Sequence, residues 1–186
     1  MKLDFTDTEG WLTPFEGYAL MQMASVASNG ILNIGCYKGK SIEYMRMCNQ
    51  EISIYAVDIL IQPEIKKIPN VIPIQGDSGS IQIASQIPEG LDLVFIDGDH
   101  MYNGVINDLK NYYYKVRPGG CIMLHDAFSP AGEEINPWKG VMEAFIDFFW
   151  DMNNQKLGDI TYANTFYGKY YNKVDTSLII QKKEEV

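Results

Sequence analysis

The sequence predicts an α/β fold, a parallel sheet with helices on both faces. Three observations lead there. Short apolar runs alternate with amphipathic helical patterns through residue 150, and that alternation is the mark of a parallel sheet. No repeat, low-complexity tract or linker interrupts it, so residues 1–186 read as one domain, with 1–29 an N-terminal segment and helix and 30–186 the core. Several apolar runs end abruptly in acids, and the carboxyl ends of strands are where open α/β sheets bind ligands.

In order, Thr13-Pro14-Phe15-Glu16 carries an N-cap residue, proline at the first helical position and Glu three residues after the cap. Phe15, Ala19, Met23 and Val26 follow at helical spacing, and Asn29-Gly30 ends the helix. Ile31 to Ile34 is a strand, Gly35 to Gly39 a turn, and Lys40 to Cys48 a helix. Ile52 to Val57 is a second strand closing on Asp58, and Pro63 to Lys67 holds a short helix at most. Val71 to Gln75 is the third strand, followed by Gly76-Asp77-Ser78 and a weak helix from Ser80 to Ser85. The fourth strand, Leu91 to Ile96, runs into Asp97-Gly98-Asp99-His100. Met101, Val105, Leu109, Tyr112 and Val116 mark one face of the next helix, which Arg117-Pro118-Gly119-Gly120 stops while starting the fifth strand. Cys121 to Leu124 is the apolar run of that strand, ending in His125-Asp126. Ala127 to Lys139 reads as a long loop, a candidate lid over a ligand. Val141, Phe145, Phe148, Phe149 and Met152 define another helix, and Ile160 to Tyr167 and Asp175 to Gln181 read as a terminal strand pair.

Composition narrows the function. Hydrophobic residues make up 46% of the chain, enough for a packed core. A net charge of -9 with no basic stripe argues against nucleic acid and favours a small ligand. The three cysteines, Cys36, Cys48 and Cys121, form no CxxC pair, so neither a zinc site nor a disulfide framework is indicated. Reduced thiols fit a cytoplasmic protein. Met1 to Gly10 is acidic and has no apolar signal-peptide region, and no apolar run approaches the roughly 20 residues that span a bilayer.

The chemistry gathers at the strand ends. Gly35 to Gly39 lets the backbone approach a ligand, and the following helix offers free amides. Asp58 ends the next strand, where a carboxylate can accept both hydroxyls of a ribose. That spacing suits a nicotinamide cofactor as well as other adenosine ligands. Asp77 reads either as part of such a pocket or as a turn former. Asp97 and His125-Asp126 end two strands which, if adjacent, stand about 4.8 Å apart, so their carboxylates can share one cation. His100 follows within one turn.

These motifs resemble a known family. Ile34-Gly35-Cys36-Tyr37-Lys38-Gly39-Lys40-Ser41, Tyr55-Ala56-Val57-Asp58, Phe95-Ile96-Asp97-Gly98-Asp99-His100 with Tyr102, Val105 and Asp108-Leu109, and Pro118-Gly119-Gly120 through His125-Asp126 look like the class I S-adenosylmethionine-dependent methyltransferases. The branch is that of the small-molecule O-methyltransferases of macrolide-sugar and cephalosporin pathways. Gly10-Trp11-Leu12-Thr13 is similar to the same branch. The resemblance implies a Rossmann-like sheet of seven strands in the order 3-2-1-4-5-7-6, strand seven antiparallel. It places Gly35, Cys36, Tyr37 and Gly39, with Ser41 at the helix start, toward the methionine part of S-adenosylmethionine. It assigns Asp58 to the ribose, Asp77 and Ser78 to the adenine side, and Asp97 to both the cofactor pocket and a metal. Asp97, His125 and Asp126 would hold Mg²⁺ or Mn²⁺, and His100 would be the general base. His125 departs from the carboxylate common at its position; imidazole is a poor ligand for Mg²⁺ and a better one for Mn²⁺ or Zn²⁺. The chain also lacks the long N-terminal extension of the antibiotic-pathway enzymes, which points to a different acceptor.

Three functions are weighed on this basis. The first is methyl transfer to a hydroxyl of a small molecule, a sugar or polyol, by a protein that binds neither nucleic acid nor membrane and whose self-association is left open. The second is an NAD-dependent oxidoreductase, which would carry a fuller GxGxxG and has no need of the Asp97 and His125-Asp126 cluster. The third is a cofactor-binding module without turnover.

Overall fold

A computed structural model of the chain describes residues 6–127, 139–154, 160–170 and 173–183. The candidate lid and the closing tail, Ala127 to Lys139 and 182–186, fall largely outside the described residues. The α/β expectation is borne out. Strands β1 (Ile31–Ile34), β2 (Ile54–Asp58), β3 (Val71–Gln75), β4 (Leu91–Ile96), β5 (Val116–Leu124), β6 (Ile160–Tyr170) and β7 (Lys173–Lys182) form one sheet in the order β3-β2-β1-β4-β5-β7-β6. The first five pair in parallel. β7 runs antiparallel to both β5 and β6, so the terminal pair is a hairpin.

The strands sort their side chains by period two onto two cores, one per face. Leu32 and Ile34 of β1, Val94 and Ile96 of β4, and Ile122 and Leu124 of β5 meet helices α4 (Tyr102–Tyr112) and α5 (Lys139–Asn154) through Val105, Leu109, Val141 and Phe148. Ile31, Leu93, Phe95 and Met123 point the other way. They meet α1 (Pro14–Ser25) and α2 (Lys40–Cys48) through Leu20, Ala24, Ile42 and Met45. The short α3 (Ile81–Ala84) lies between β3 and β4.

Two expectations need correction. The buried face of α1 is not Phe15 and Val26, which are 49% and 77% exposed. It is Glu16, Gly17, Ala19, Leu20 and Ala24. The face turned because Gly17 lets the ring of Tyr44 come so close that a Cβ there would stand 2.5 Å from the ring. The helix also stops at Ser25, short of Asn29. Second, Met101 and Val116 do not lie on the buried face of α4: Met101 is its exposed N-cap, and Val116 opens β5, in which Arg117 to Gly120 stand at the start as expected but bulge from the ladder. Leu91 pairs with Val116 and Leu93 with Cys121, so the extra residues on β5 are looped out between two pairings.

Asp92 shows how the N-terminal end of the sheet is tied. Its buried carboxylate accepts hydrogen bonds from the amides of Ser28, Asn29 and Gly30 at 2.9, 2.6 and 3.1 Å and from Arg117 Nε at 2.6 Å. Burial opposes its charge, but Arg117 and the three amides outweigh it and hold the carboxyl below its ordinary range. The turn leading into β1 is thereby fixed to β4 and β5. Among the described residues no helix is long and apolar enough to cross a membrane.

Candidate functional site

The carboxyl ends of β1, β2, β3, β4 and β5 open onto one cavity of about 1060 Å³. Gly35, Tyr37, Asp58, Asp77, Ser78, Asp97, His100, His125 and Asp126 all line it. Cys36, Gly39 and Ser41 do not. Cys36 is buried, and burial, with the charge of Asp58, pushes its thiol up to about 12, so it is an inert core group. Ser41 Oγ donates to Asn33 Oδ1 at 2.6 Å and pins α2 to β1.

The glycine turn is left-handed at Gly35, Tyr37 and Gly39. Asp58 steadies it: one carboxylate oxygen accepts from Tyr37 N at 2.9 Å, the other from Leu60 N at 3.1 Å. Each oxygen keeps a second lone pair for a ligand hydroxyl. Residues ahead of α1 fold over this turn. Glu9 accepts from Lys38 Nζ at 2.5 Å and Tyr37 Oη at 3.3 Å, and Trp11 packs on Tyr37 with ring centroids 5.4 Å apart at the cavity.

The turn after β3 is held from behind by α4. Tyr112 Oη donates to Ser78 O at 2.9 Å, and Asn111 Nδ2 donates to Ser78 O and Gly79 O at 3.2 and 3.0 Å. Asp108 is buried in the same place with no well-formed hydrogen bond to either oxygen among the described residues. Burial pushes its carboxyl up to about 7; the Ser78 hydroxyl opposes the shift and the charges of Asp77 and Asp99 add to it. The raised value makes a stability prediction. At low pH the group is neutral folded and unfolded and has no effect. As pH rises from the unfolded value of about 3.9 to the folded value, the unfolded chain sheds its proton first, so stability falls. Asp108→Asn should therefore stabilise the protein by about 1–3 kcal/mol at pH 8 and by less than about 1 kcal/mol at pH 4.5. Urea unfolding at the two values measures it, and equal changes at both would remove the titration argument.

Five ionisable groups converge beyond β4 and β5. His100 Nε2 stands 3.3 Å from Asp97 Oδ1 and 3.5 Å from Asp126 Oδ2. His125 Nδ1 stands 3.0 Å from the same Asp97 oxygen and 3.4 Å from the same Asp126 oxygen. The far nitrogen of His125, Nε2, lies 3.4 Å from Glu16 Oε2. Burial works against a charge on His125, but Asp97, Asp126 and Glu16 around it raise its pKa well above the ordinary value. Burial also works against the charges of Asp97 and Glu16; His125 beside both, with His100 on Asp97 and Ser177 and Thr13 on Glu16, keeps both below their ordinary range.

The sequence reading missed Glu16 as part of this site. It was legible as the capping-box residue, and it is one: Thr13 N donates to Glu16 Oε2 at 3.1 Å and Glu16 N to Thr13 Oγ1 at 3.4 Å. Only the buried face of α1 reveals that the same carboxylate reaches the strand ends.

The cluster fits a divalent cation. Ligand atoms of Asp97, His100 and His125 lie within 4.8 Å of one another. His125 Nδ1 is buried and, despite its nearness to Asp97, has no aligned hydrogen-bond partner among the described residues. Two donors bound at about 2.1 Å to adjacent corners of an octahedron stand about 3.0 Å apart, which is the spacing of His125 Nδ1 and Asp97 Oδ1.

Comparison with known proteins decides the family. A family model described as a methyltransferase domain matches residues 32–127, which carry the glycine turn, Asp58, Asp77, Asp97, His100, His125 and Asp126. The chain belongs to the methyltransferase-domain family. This agrees with the resemblance to the class I S-adenosylmethionine-dependent methyltransferases and separates the chain from the oxidoreductase reading. An uncharacterized protein of Acanthamoeba polyphaga mimivirus is 31% identical over 110 residues, covering 51% of this chain and 50% of its own, so the chain spans about half the length of that curated relative. Solved structures share the methyltransferase fold. The MycE methyltransferase from the mycinamycin biosynthetic pathway, in complex with Mg and SAH, has a TM-score of 0.68 at 21% identity, covering 97% of this chain and 52% of its own. The O-methyltransferase from Bacillus cereus in complex with SAH has a TM-score of 0.68 at 17% identity, covering 95% and 84%. TomG from Streptomyces achromogenes, an O-methyltransferase involved in tomaymycin synthesis and bound to SAM, has a TM-score of 0.69 at 14% identity, covering 93% and 82%.

Proposed function

We propose that this methyltransferase-family protein transfers a methyl group from S-adenosylmethionine to a hydroxyl of a small molecule, a sugar or polyol, with a divalent cation assisting. The observation that carries the reading is His100 at a single cavity with Asp97, Asp126 and the glycine turn. A MycE complex containing Mg, SAH and mycinamycin VI supports a metal and a small-molecule acceptor for this fold. S-adenosylmethionine, when bound, supplies an electrophilic methyl on a sulfonium centre. Asp58 receives the ribose hydroxyls on its free lone pairs. Gly35 and the turn after it face the methionine part, and Asp77 and Ser78 the adenine side. Asp97, His125 and Asp126 would hold the cation, which would supply positive charge beside the acceptor hydroxyl. His100 takes the acceptor proton: with its Nε2 proton shared between Asp97 and Asp126, the imidazole accepts at Nδ1. A second reading makes His100 a ligand, because its Nε2 lies within the same 4.8 Å cluster as the donors of Asp97 and His125.

Calorimetry with S-adenosylmethionine, S-adenosylhomocysteine and NAD tests the cofactor. The adenosyl compounds should bind and NAD should not. Asp58→Ala should weaken binding by about 1.5–3 kcal/mol, the worth of hydrogen bonds to a charged group. Wild-type affinity in that variant would refute the ribose assignment. Full turnover in excess chelator would dismiss the cation while leaving methyl transfer in place.

A further inference from the structure

We propose that Glu16 is a positioning residue that turns His125 into a nitrogen ligand for a divalent cation, and so selects cations that accept imidazole. This rests on the metal assignment above. His125 is 5% exposed and Glu16 1%, so both are shielded from bulk solvent where they face each other. The Glu16 carboxylate is itself fixed on three sides: Thr13 N and Thr13 Oγ1 donate to Oε2 at 3.1 and 3.0 Å, and Ser177 Oγ of β7 donates to Oε1 at 2.5 Å. A cation bound at Nδ1 displaces the proton that the surrounding carboxylates favour there, and the neutral imidazole left on the metal carries one N–H. With Glu16 Oε2 3.4 Å from Nε2, that N–H belongs at Nε2, which leaves the Nδ1 lone pair aimed at Asp97 and Asp126. A carboxylate behind a histidine that faces a metal fixes its tautomer and raises its basicity. His125 with Asp97 then gives a mixed nitrogen–oxygen donor set, suited to Mn²⁺ or Zn²⁺ more than to Mg²⁺. The arrangement also couples α1 and β7 to the metal, because both ends of the Glu16 carboxylate are held by those elements.

The experiment uses the tag-free full chain, whose two histidines give resolvable ring signals. Zn²⁺ and Mn²⁺ affinities are measured by calorimetry, and ¹⁵N shifts of both rings are followed during Zn²⁺ titration. Wild type should bind Zn²⁺ and Mn²⁺ more tightly than Mg²⁺, with His125 Nδ1 taking a metal-bound shift while Nε2 keeps its proton. Glu16→Ala should weaken Zn²⁺ and Mn²⁺ by about 10- to 100-fold and leave S-adenosylhomocysteine affinity unchanged. Glu16→Gln, which keeps an oxygen for the Nε2 proton, should fall between, and it carries the test if the alanine variant does not fold. Ser177→Ala, which removes a Glu16 contact without touching His125, should weaken Zn²⁺ and Mn²⁺ by less than Glu16→Ala does. Metal binding with the His125 signals unmoved would overturn the proposal and leave an oxygen-only metal site. No metal binding by wild type would overturn both, while retained S-adenosylhomocysteine binding would keep the methyltransferase reading. Undiminished affinity in folded Glu16→Ala or Glu16→Gln would also overturn it.

Discussion

His100→Gln should lower kcat by roughly 10²–10⁴, the range for a lost acid–base group, with S-adenosylhomocysteine affinity near wild type. An alcohol is a weak nucleophile, and its attack on a sulfonium methyl is faster when the proton leaves as the bond forms. An imidazole is mostly neutral near pH 7 and can take that proton. His100 follows Asp97 by three residues at the end of β4, half-buried, with its Nε2 3.3 Å from Asp97 and 3.5 Å from Asp126. Glutamine can hydrogen-bond in the same place but cannot accept the proton. The measurement is release of S-adenosylhomocysteine across a panel of polyols, with metal affinity determined on the same variant. A kcat within a few fold of wild type would return His100 to a structural role. A lower kcat together with weaker metal binding would favour its place as a ligand.

The fold was legible because the strand runs and helical patterns differ in period, and because acids mark the strand ends. The glycine turn, Asp58, Asp97, His100 and His125-Asp126 all follow directly from strand ends in sequence, so placing the strands placed them. Glu16 was not legible as a site residue. Its helix buries a glutamate and a glycine where periodicity selects apolar side chains, and the partner it serves lies 109 positions later. The bulge in β5 was not legible for a different reason. Pro118-Gly119-Gly120 signals a break, and the chain does leave the ladder there, but it rejoins the same strand at Cys121. Local turn chemistry alone does not distinguish a bulge from an end. Asp108 reads as a motif residue from sequence, while its raised pKa depends on how α4 seals it behind Ser78, which no local pattern records.

Gly35→Ala should be the most damaging single substitution outside the titratable groups. Gly35 has φ +75°, a region that costs an L residue about 1–2 kcal/mol. The larger penalty is steric. A Cβ there would stand 2.0 Å from the Asp97 carbonyl oxygen, 2.4 Å from its carbon and 2.8 Å from Gly98 N. All three are backbone atoms, so no rotamer change relieves the contact. The turn cannot retreat, because Gly35 N donates to Val57 O at 2.8 Å and Asp97 N donates to Ile34 O at 3.0 Å, locking the end of β1 between β2 and β4. Relief requires moving the peptide that carries the Asp97 side chain. Loss of at least about 3 kcal/mol of stability is expected, as for overpacking at a strained site. S-adenosylhomocysteine and Mn²⁺ affinities should both fall at least about tenfold, because the peptide that must move carries Asp97 and both it and the glycine turn line the cavity, where a displacement of about 1 Å misplaces the ligand contacts. Gly98→Ala provides the contrast. Its added Cβ would meet only Ile34 Cγ2, at 3.1 Å, a side-chain atom that can shift. It should keep most of the stability and ligand affinity. Urea unfolding and calorimetry on the pair measure the difference. Gly35→Ala within about 0.5 kcal/mol of wild type, binding both ligands normally, would mean that the turn and the β4 end are not in the contact described.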